Sequence, residues 1–111
     1  MNQFLVIVRG YSSDFDDPKA MQALNARFGE WIQGVLKGNY LSGSPLEKDG
    51  GRLLKSKKEV LTDGPFMDSK EVISGYFLIQ ANSIEEATGY AKECPLLEFA
   101  PLEVRQIKPM H

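Results

Sequence analysis

The amino-acid sequence predicts an α+β fold in which two helices pack on one face of a single sheet. Residues 3–9 and 73–81 carry apolar side chains on consecutive positions, which is typical of strands in the middle of a sheet. Two amphipathic segments with N-terminal capping residues follow these strands. Because 111 residues suffice for one domain but not for two, we predict a single domain over residues 1–111.

The first helix is predicted to begin at Asp17, a typical N-cap residue, with Pro18 in the first helical position. Gly38 and Asn39 are expected to end it. Between these signals lies one apolar stripe at helical spacing, formed by Met21, Leu24, Phe28, Trp31, Ile32 and Val35. We interpret this stripe as core packing rather than as a surface for a cofactor.

A second strand and a small hairpin are predicted in the middle of the chain. Residues 40–46 favour a strand, and residues 48–51 (Lys-Asp-Gly-Gly) are typical of a hairpin turn. Residues 52–55 and 59–61 are short and polar, and we expect them to form a small hairpin at the edge of the sheet.

The second helix and the last strand complete the predicted order. Ser83 and Glu86 make a capping-box pattern, so a helix is expected from there to about Glu93, before Pro95. Residues 102–107 alternate apolar and charged side chains and predict the last strand. The order β-α-β-hairpin-β-α-β is that of a split β-α-β, or ferredoxin-like, sandwich.

The helix-free face of this sheet is expected to need a cover. Right-handed crossovers place both helices on one face, yet both central strands carry apolar side chains on both faces. Large exposed apolar patches are rare on monomers, and the same face of a second copy is the simplest cover. The sequence therefore predicts a homodimer.

Several classes of protein are excluded or disfavoured by composition. The net charge is −2 and no cluster of Lys and Arg stands out, so no nucleic-acid partner is expected. The longest strongly apolar run, residues 4–8, is too short to cross a membrane, and the N-terminus lacks the basic start of a signal peptide. Cys94 is the single cysteine and His111 the single histidine, so we expect a cytoplasmic protein without a disulfide, a metal site or a cofactor.

One stretch of sequence resembles a known family. Residues 61–66 (Leu-Thr-Asp-Gly-Pro-Phe), then Lys70-Glu71 and then residues 75–79 (Gly-Tyr-Phe-Leu-Ile), resemble the DGPF (YCII-related) family. This resemblance implies a dimeric α+β barrel, in which two ferredoxin-like sheets face each other across a pocket, on a scaffold shared with isomerases, monooxygenases and lyases. It also implies a bacterial protein. The chain has no internal histidine, and Leu96 stands where many members have one, so a histidine-based mechanism is not expected.

The candidate catalytic residues are two carboxylates. Asp63 is a candidate general base or ligand for a cation, and the alternative is that its side chain holds the Gly-Pro turn by accepting backbone N–H groups. Glu71 is a candidate acid or base, with Lys70 beside it as a binding residue. For Lys70 and Glu71 the alternative is a solvated surface pair.

The candidate ligand-binding residues lie on strands. Arg9 and Arg105 are expected on neighbouring strands, where two guanidinium groups suit an anionic ligand; the alternative is an intrachain partner such as Glu103. Tyr76, like Tyr11 and Tyr40, offers a hydroxyl to a pocket, and Ser42 has a weaker claim. The alternative for these tyrosines is a half-buried ring whose hydroxyl contacts water or a carbonyl.

Two functional hypotheses remain open at this point. The first is a protein that binds a small organic, perhaps anionic ligand in a sheet-lined pocket, with acid–base chemistry of the isomerase or lyase type by analogy with the scaffold. The second is a non-catalytic dimeric module that acts with a partner protein such as a sigma-factor-like regulator. The missing internal histidine and the lack of a compact catalytic motif support the second, and we take the first as the leading hypothesis.

Overall fold

The computed structural model describes residues 1–62 and 72–110, and in these ranges the chain forms a four-stranded sheet, a separate hairpin and two α-helices. The bounds are β1 (Asn2–Arg9), α1 (Pro18–Trp31), β2 (Tyr40–Pro45), β3 (Arg52–Leu54), β4 (Val60–Thr62), β5 (Ile73–Ala81), α2 (Ile84–Lys92) and β6 (Leu102–Gln106). The sheet order is β2-β5-β1-β6, and every neighbouring pair is antiparallel. This is the ferredoxin-like order, so the predicted fold class is confirmed.

Both helices begin where the sequence predicts. The Asp17 carboxylate accepts the Lys19 N–H at 3.1 Å, and the Ser83 hydroxyl accepts the Glu86 N–H at 3.1 Å. The return contact of the capping box differs from the standard form, because the Glu86 carboxylate accepts the Asn82 N–H at 3.0 Å. After Trp31 the helix continues as a π-helical turn (Ile32–Leu36).

The chain leaves α1 through two residues with positive φ. Lys37 lies in the left-handed region at φ 49°, and Gly38 follows at φ 94°. The Gly38-Asn39 stop signal is therefore confirmed, although the left-handed conformation begins one residue earlier, at a lysine.

The core lies between the helices and one face of the sheet. Its largest fully buried side chains are Phe4, Val6, Leu36, Phe77 and Ile79. Trp31 packs on Phe77 with a ring-centre distance of 5.4 Å, and its indole Nε1–H donates to the Tyr90 carbonyl at 3.0 Å. This bond ties α1 to α2 while the tryptophan ring stays in the core, as the apolar stripe predicts.

The opposite face of the sheet carries apolar side chains, and neither of the two described helices lies above them. Leu5 lies opposite Leu78 across β1 and β5, and Ile7 lies opposite Tyr76. Leu5, Ile7 and Leu78 are half-buried, and Tyr76 is 37% exposed. We call these four residues the open face.

The predicted hairpin turn at residues 48–51 is wrong. The strands on either side of it, β2 and β3, belong to different sheets, and Gly50 (φ 93°) redirects the chain between them. The turn of the observed hairpin lies later, where the Ser56 hydroxyl accepts the N–H groups of Lys58 and Glu59. The small hairpin itself is confirmed as β3 and β4, but it is not hydrogen-bonded to the edge of the four-stranded sheet.

We predict that Gly43→Ala destabilises the fold by about 1–3 kcal/mol, the usual cost of overpacking. Gly43 lies opposite Phe77, and a Cβ there would come within 2.5 Å of both the Phe77 Cβ and the Tyr40 hydroxyl. Urea unfolding followed by circular dichroism measures the change. Gly89→Ala in α2 is the matched control, because no atom lies within 4 Å of its added Cβ, and it is expected to stabilise the helix by up to about 1 kcal/mol. Equal midpoints for the two variants would contradict this account.

Candidate functional site

A cleft of about 510 Å³ lies where β1 ends, bordered by the start of α1 and by the connection between β2 and β3. Its polar lining includes Tyr11, Asp16, Lys48 and Ser74. Its apolar lining consists of Val8, Phe15, Met21, Pro45, Leu46 and Leu96. We call it the Tyr11 cleft; its volume lies within the range of small-molecule sites.

The local fold places Tyr11 in this cleft. Gly10 has φ 82°, a conformation that favours glycine, and its N–H donates to the Val72 carbonyl at 2.6 Å, so the chain turns sharply as it leaves the sheet. A 3₁₀ helix (Ser13–Asp16) follows, capped by Ser12. It brings Phe15 edge-on to the Tyr11 ring at 5.9 Å, which holds the ring in position.

The Tyr11 hydroxyl is shielded from water. Among residues 1–62 and 72–110 no group meets full hydrogen-bond geometry with it. Asp16 is nevertheless close enough that hydrogen bonding to its carboxylate, reinforced by loss of water contact, raises the pKa of Tyr11 from 10.0 to about 12. With a pKa this far above 7, the Tyr11 hydroxyl keeps its proton at neutral pH.

The rim of the cleft is charged and mostly acidic. Glu47 and Asp49 add negative charge that also raises the Tyr11 pKa. Lys48 lies between them in sequence, and its Nζ is 4.7 Å from the centre of the Tyr11 ring, a cation–π distance. Asp16, Glu47 and Asp49 are named the acidic rim.

A smaller cavity of about 400 Å³ adjoins the same tyrosine. Arg9, Tyr11 and Glu103 line it, together with residues 99–102. The Arg9 guanidinium is 3.3 Å from the Glu103 carboxylate, and the Arg105 guanidinium is 3.5 Å from it. The structure thus brings both predicted arginines together, and both have the intrachain partner that was the alternative interpretation. Two cations and one anion leave this group with a net charge of +1.

The other predicted binding residues that the structure describes lie on the helix-free side of the sheet. Tyr76 is paired with Ile7 at the centre of the open face. Across the sheet, Ser42 on β2 pairs with Leu78 on β5. Leu78 pairs with Leu5 on β1, and Leu5 pairs with Arg105 on β6. Three strand spacings therefore separate Ser42 from Arg105, about 14 Å. These residues do not converge on one small ligand.

Asp63, Lys70 and Glu71 lie outside the described residues and stay predictions. Asp16 and Lys48 were not predicted as site residues. Asp16 sits in a polar segment without a motif, and Lys48 was assigned to a hairpin turn, so only the fold brings them to Tyr11.

The thiol of Cys94 contributes no reactive group. Cys94 is buried between α2 and the next 3₁₀ helix, and burial raises the pKa of its thiol to about 11, partly offset by a hydrogen bond with the Leu96 backbone. In residues 1–62 and 72–110 no three Cys, His, Asp or Glu residues are grouped so that they could bind a metal ion. No helix in the same ranges has the length and apolar character needed to span a membrane.

Comparison with known proteins identifies the family. The model of the YCII-related domain matches residues 37–111, about two-thirds of the chain. The chain belongs to the YCII-related domain family. A search of curated proteins by sequence found no match.

Two solved structures are similar to this YCII-related domain. One is 5-chloro-2-hydroxyhydroquinone dehydrochlorinase from Burkholderia phenoliruptrix AC1100, in complex with 2,5-dihydroxybenzoquinone; it is 17% identical, with a TM-score of 0.58, over 96% of this chain and 93% of that one. The other is At3g17210 from Arabidopsis thaliana, 12% identical, with a TM-score of 0.47, over 100% of this chain and 97% of that one. At these identities the likeness concerns the fold.

We predict that Tyr11 ionises at a pH of about 12 in the folded protein. Absorbance at the phenolate band is followed during alkaline titration of the wild type and of Tyr11→Phe, and the difference isolates this residue. Asp16→Asn is expected to lower the Tyr11 pKa toward 10.0, because the carboxylate is the main cause of the shift. A wild-type difference curve centred near pH 10 would be inconsistent with the Asp16 contact.

The raised pKa of Tyr11 also predicts how the stability of the folded protein changes with pH. Because the folded state holds the Tyr11 proton more tightly than the unfolded state, its contribution is fully present below pH 10 and is lost as the pH rises to about 12. Tyr11→Phe is therefore expected to flatten the fall in stability across this alkaline range.

Proposed function

We propose that this YCII-related domain binds a small organic molecule with a carbonyl or phenolic oxygen in the Tyr11 cleft, with acid–base chemistry of the isomerase or lyase type. The observation that carries the proposal is the position of Tyr11, which lines both cavities and whose hydroxyl lies near the Asp16 carboxylate. A hydroxyl and a carboxylate held side by side in a cleft favour a role toward a ligand.

Tyr11 and Asp16 suit two complementary roles. With a pKa of about 12 the phenol is a hydrogen-bond donor at neutral pH, suited to a ligand oxygen on which negative charge develops. The Asp16 carboxylate, exposed beside it, accepts a proton from the carbon next to the carbonyl. The electron pair of the broken C–H bond then moves toward the oxygen that Tyr11 contacts.

The shape of the cleft supports a flat ligand. Phe15 and the Tyr11 ring form aromatic walls, and aliphatic side chains form the rest of the apolar lining. The dehydrochlorinase of similar fold is named for a substituted hydroquinone and was solved with a dihydroxybenzoquinone, a flat ring with oxygen substituents. This supports a ligand of that general kind for the present chain.

The smaller cavity provides a place for an anionic substituent. Arg9 lines it next to Tyr11, and the Arg9–Glu103–Arg105 group carries a net positive charge. A carboxylate on the ligand would compete with Glu103 for Arg9, so we expect anionic groups to add modestly to binding.

We also propose that the chain is a cytoplasmic homodimer, with the open face of each copy at the interface. Leu5, Ile7 and Leu78 form an apolar patch with Tyr76, and covering such a patch is favourable. The same patch is the observation that favours the second candidate function, a non-catalytic dimeric module acting with a partner protein. Asp63 and Glu71 remain our proposals for further acid–base groups, with Lys70 as a binding residue.

The first test is ligand binding by variants of two tyrosines. A thermal-shift screen of phenols, quinones and keto acids identifies a ligand, and calorimetry measures its affinity. Tyr11→Phe is expected to weaken binding about tenfold, the worth of one hydrogen bond, while folding stays intact. Tyr76→Phe on the open face is the matched control and is expected to bind as the wild type does.

Two outcomes of this test would favour a different site or a different function. Loss of binding in Tyr76→Phe but not in Tyr11→Phe would move the site to the open face. A chain that no screened ligand stabilises, but that co-purifies with a defined partner, would favour the non-catalytic module.

A further inference from the structure

We propose that the β3–β4 hairpin of one copy lies on the acidic rim of a second copy, so that its lysines complete the Tyr11 cleft of that partner. The hairpin and its turn, residues 52–62, are named the basic arm. This contact lies outside the open face and uses the exposed apolar side chains, the length and the positive charge of the arm.

The arm exposes apolar side chains on both of its faces. Leu53 pairs with Leu61 and Leu54 pairs with Val60, so each pair occupies one face. Their side chains are between 41% and 67% exposed. An isolated two-stranded hairpin is marginally stable in water, and its free strand edges invite pairing. Because no other strand in residues 1–62 and 72–110 pairs with the arm, a surface of a second copy is available to cover it.

Apart from the pairing of β3 with β4, the strands of the arm make few contacts with the other helices and strands. The Cα radius of gyration is 15.4 Å, whereas a compact chain of this length is expected near about 13 Å. The molecule measures 43 × 43 × 18 Å, which is broad and thin. An extended strand rises about 3.3 Å per residue, so the arm's turn at Ser56 lies about 13 Å from Arg52.

The length of the hairpin separates its lysines from the chain's own rim. Asp49 precedes Arg52 by three residues, so the arm begins near this rim, whereas Lys57 and Lys58 lie in the turn at the opposite end of the two strands.

The charges of arm and body are opposite. Residues 52–59 contain Arg52, Lys55, Lys57, Lys58 and Glu59, which give a net charge of +3. Since the whole chain carries −2, the remainder carries −5. The acidic rim is the part of that charge which borders a cavity. Opposite potentials orient an association, and a two-fold axis repeats the arm-to-rim contact twice.

A contact of this kind would change the cleft. The partner's Lys57 and Lys58 would offset the carboxylates of the rim and cover part of its opening. The covered cleft would then exclude water and tolerate anionic ligands better than the cleft of a single chain. This consequence for ligands rests on the proposed function, whereas the arm contact does not.

The test uses reciprocal charge reversal. The arm variant is Lys57→Glu with Lys58→Glu, and the rim variant is Glu47→Lys with Asp49→Lys. In a dimer of either variant alone, arm and rim repel, and we expect dimerisation at least about tenfold weaker than in the wild type. In a mixture of the two, both contacts are attractive again. Native mass spectrometry after subunit exchange should find mixed dimers well above the statistical half.

The control variant carries Lys37→Glu and Lys92→Glu, at exposed positions near the ends of the two helices. Its net charge equals that of the arm variant, so it tests location rather than total charge. Mixed with the rim variant, it should form mixed dimers closer to the statistical half.

Three results would overturn the arm contact. They are mixed dimers at the statistical half for the arm and rim variants, equal enrichment with the control variant, and a wild-type chain that stays monomeric at high micromolar concentration. Circular dichroism of each variant verifies folding, and all six substituted residues are exposed. Failure of Tyr11→Phe to affect ligand binding would contradict the proposed function and leave this contact standing.

Discussion

The packing of aromatic rings on Phe77 is the interaction on which the rest of the structure depends. Phe28 and Trp31 of α1 lie 5.6 and 5.4 Å from its ring, and Tyr40 of β2 lies 6.3 Å from it. One side chain in a central strand therefore holds both a helix and an edge strand, and the Trp31–Tyr90 hydrogen bond adds the second helix. Because both helices are held on this face, the other face is left to Leu5, Ile7, Tyr76 and Leu78.

Features that depend on local chemistry could be predicted from the sequence. Asp17 and Ser83 cap helices through contacts within three residues, and the consecutive apolar residues of β1 and β5 mark central strands whatever surrounds them. The path of residues 48–51 could not be predicted, because Asp-Gly-Gly is compatible with several kinds of turn. The hairpin instead turns at Ser56, whose hydroxyl accepts two backbone N–H groups.

The site residues also divide into those that could be predicted from the sequence and those that could not. Arg9, Glu103 and Arg105 were expected to lie together because β1 and β6 become neighbours once the fold class is known, and the ion pairs follow. Asp16 reaches Tyr11 through a 3₁₀ helix, and Lys48 reaches it through the connection between β2 and β3. Neither segment has a periodic hydrophobic pattern from which its conformation could be predicted. The basic cluster of the arm was not predicted from the sequence. Leu53, Leu54 and Ser56 interrupt its basic residues, and the hairpin fold places these residues on one projection.

The position of Tyr11 limits the chemistry that we propose for the cleft. A phenol with a pKa of about 12 transfers its proton reluctantly, and a carboxylate beside it competes for the hydrogen bond. Such a group stabilises charge on a ligand oxygen by donating a hydrogen bond, without becoming a phenolate. The hydrogen bond strengthens when water is excluded, since a low dielectric favours a well-aligned donor. Closure of the cleft and the strength of its donor are thus linked, and an arm from a second copy would act on the chemistry even though its lysines never contact the reacting atoms.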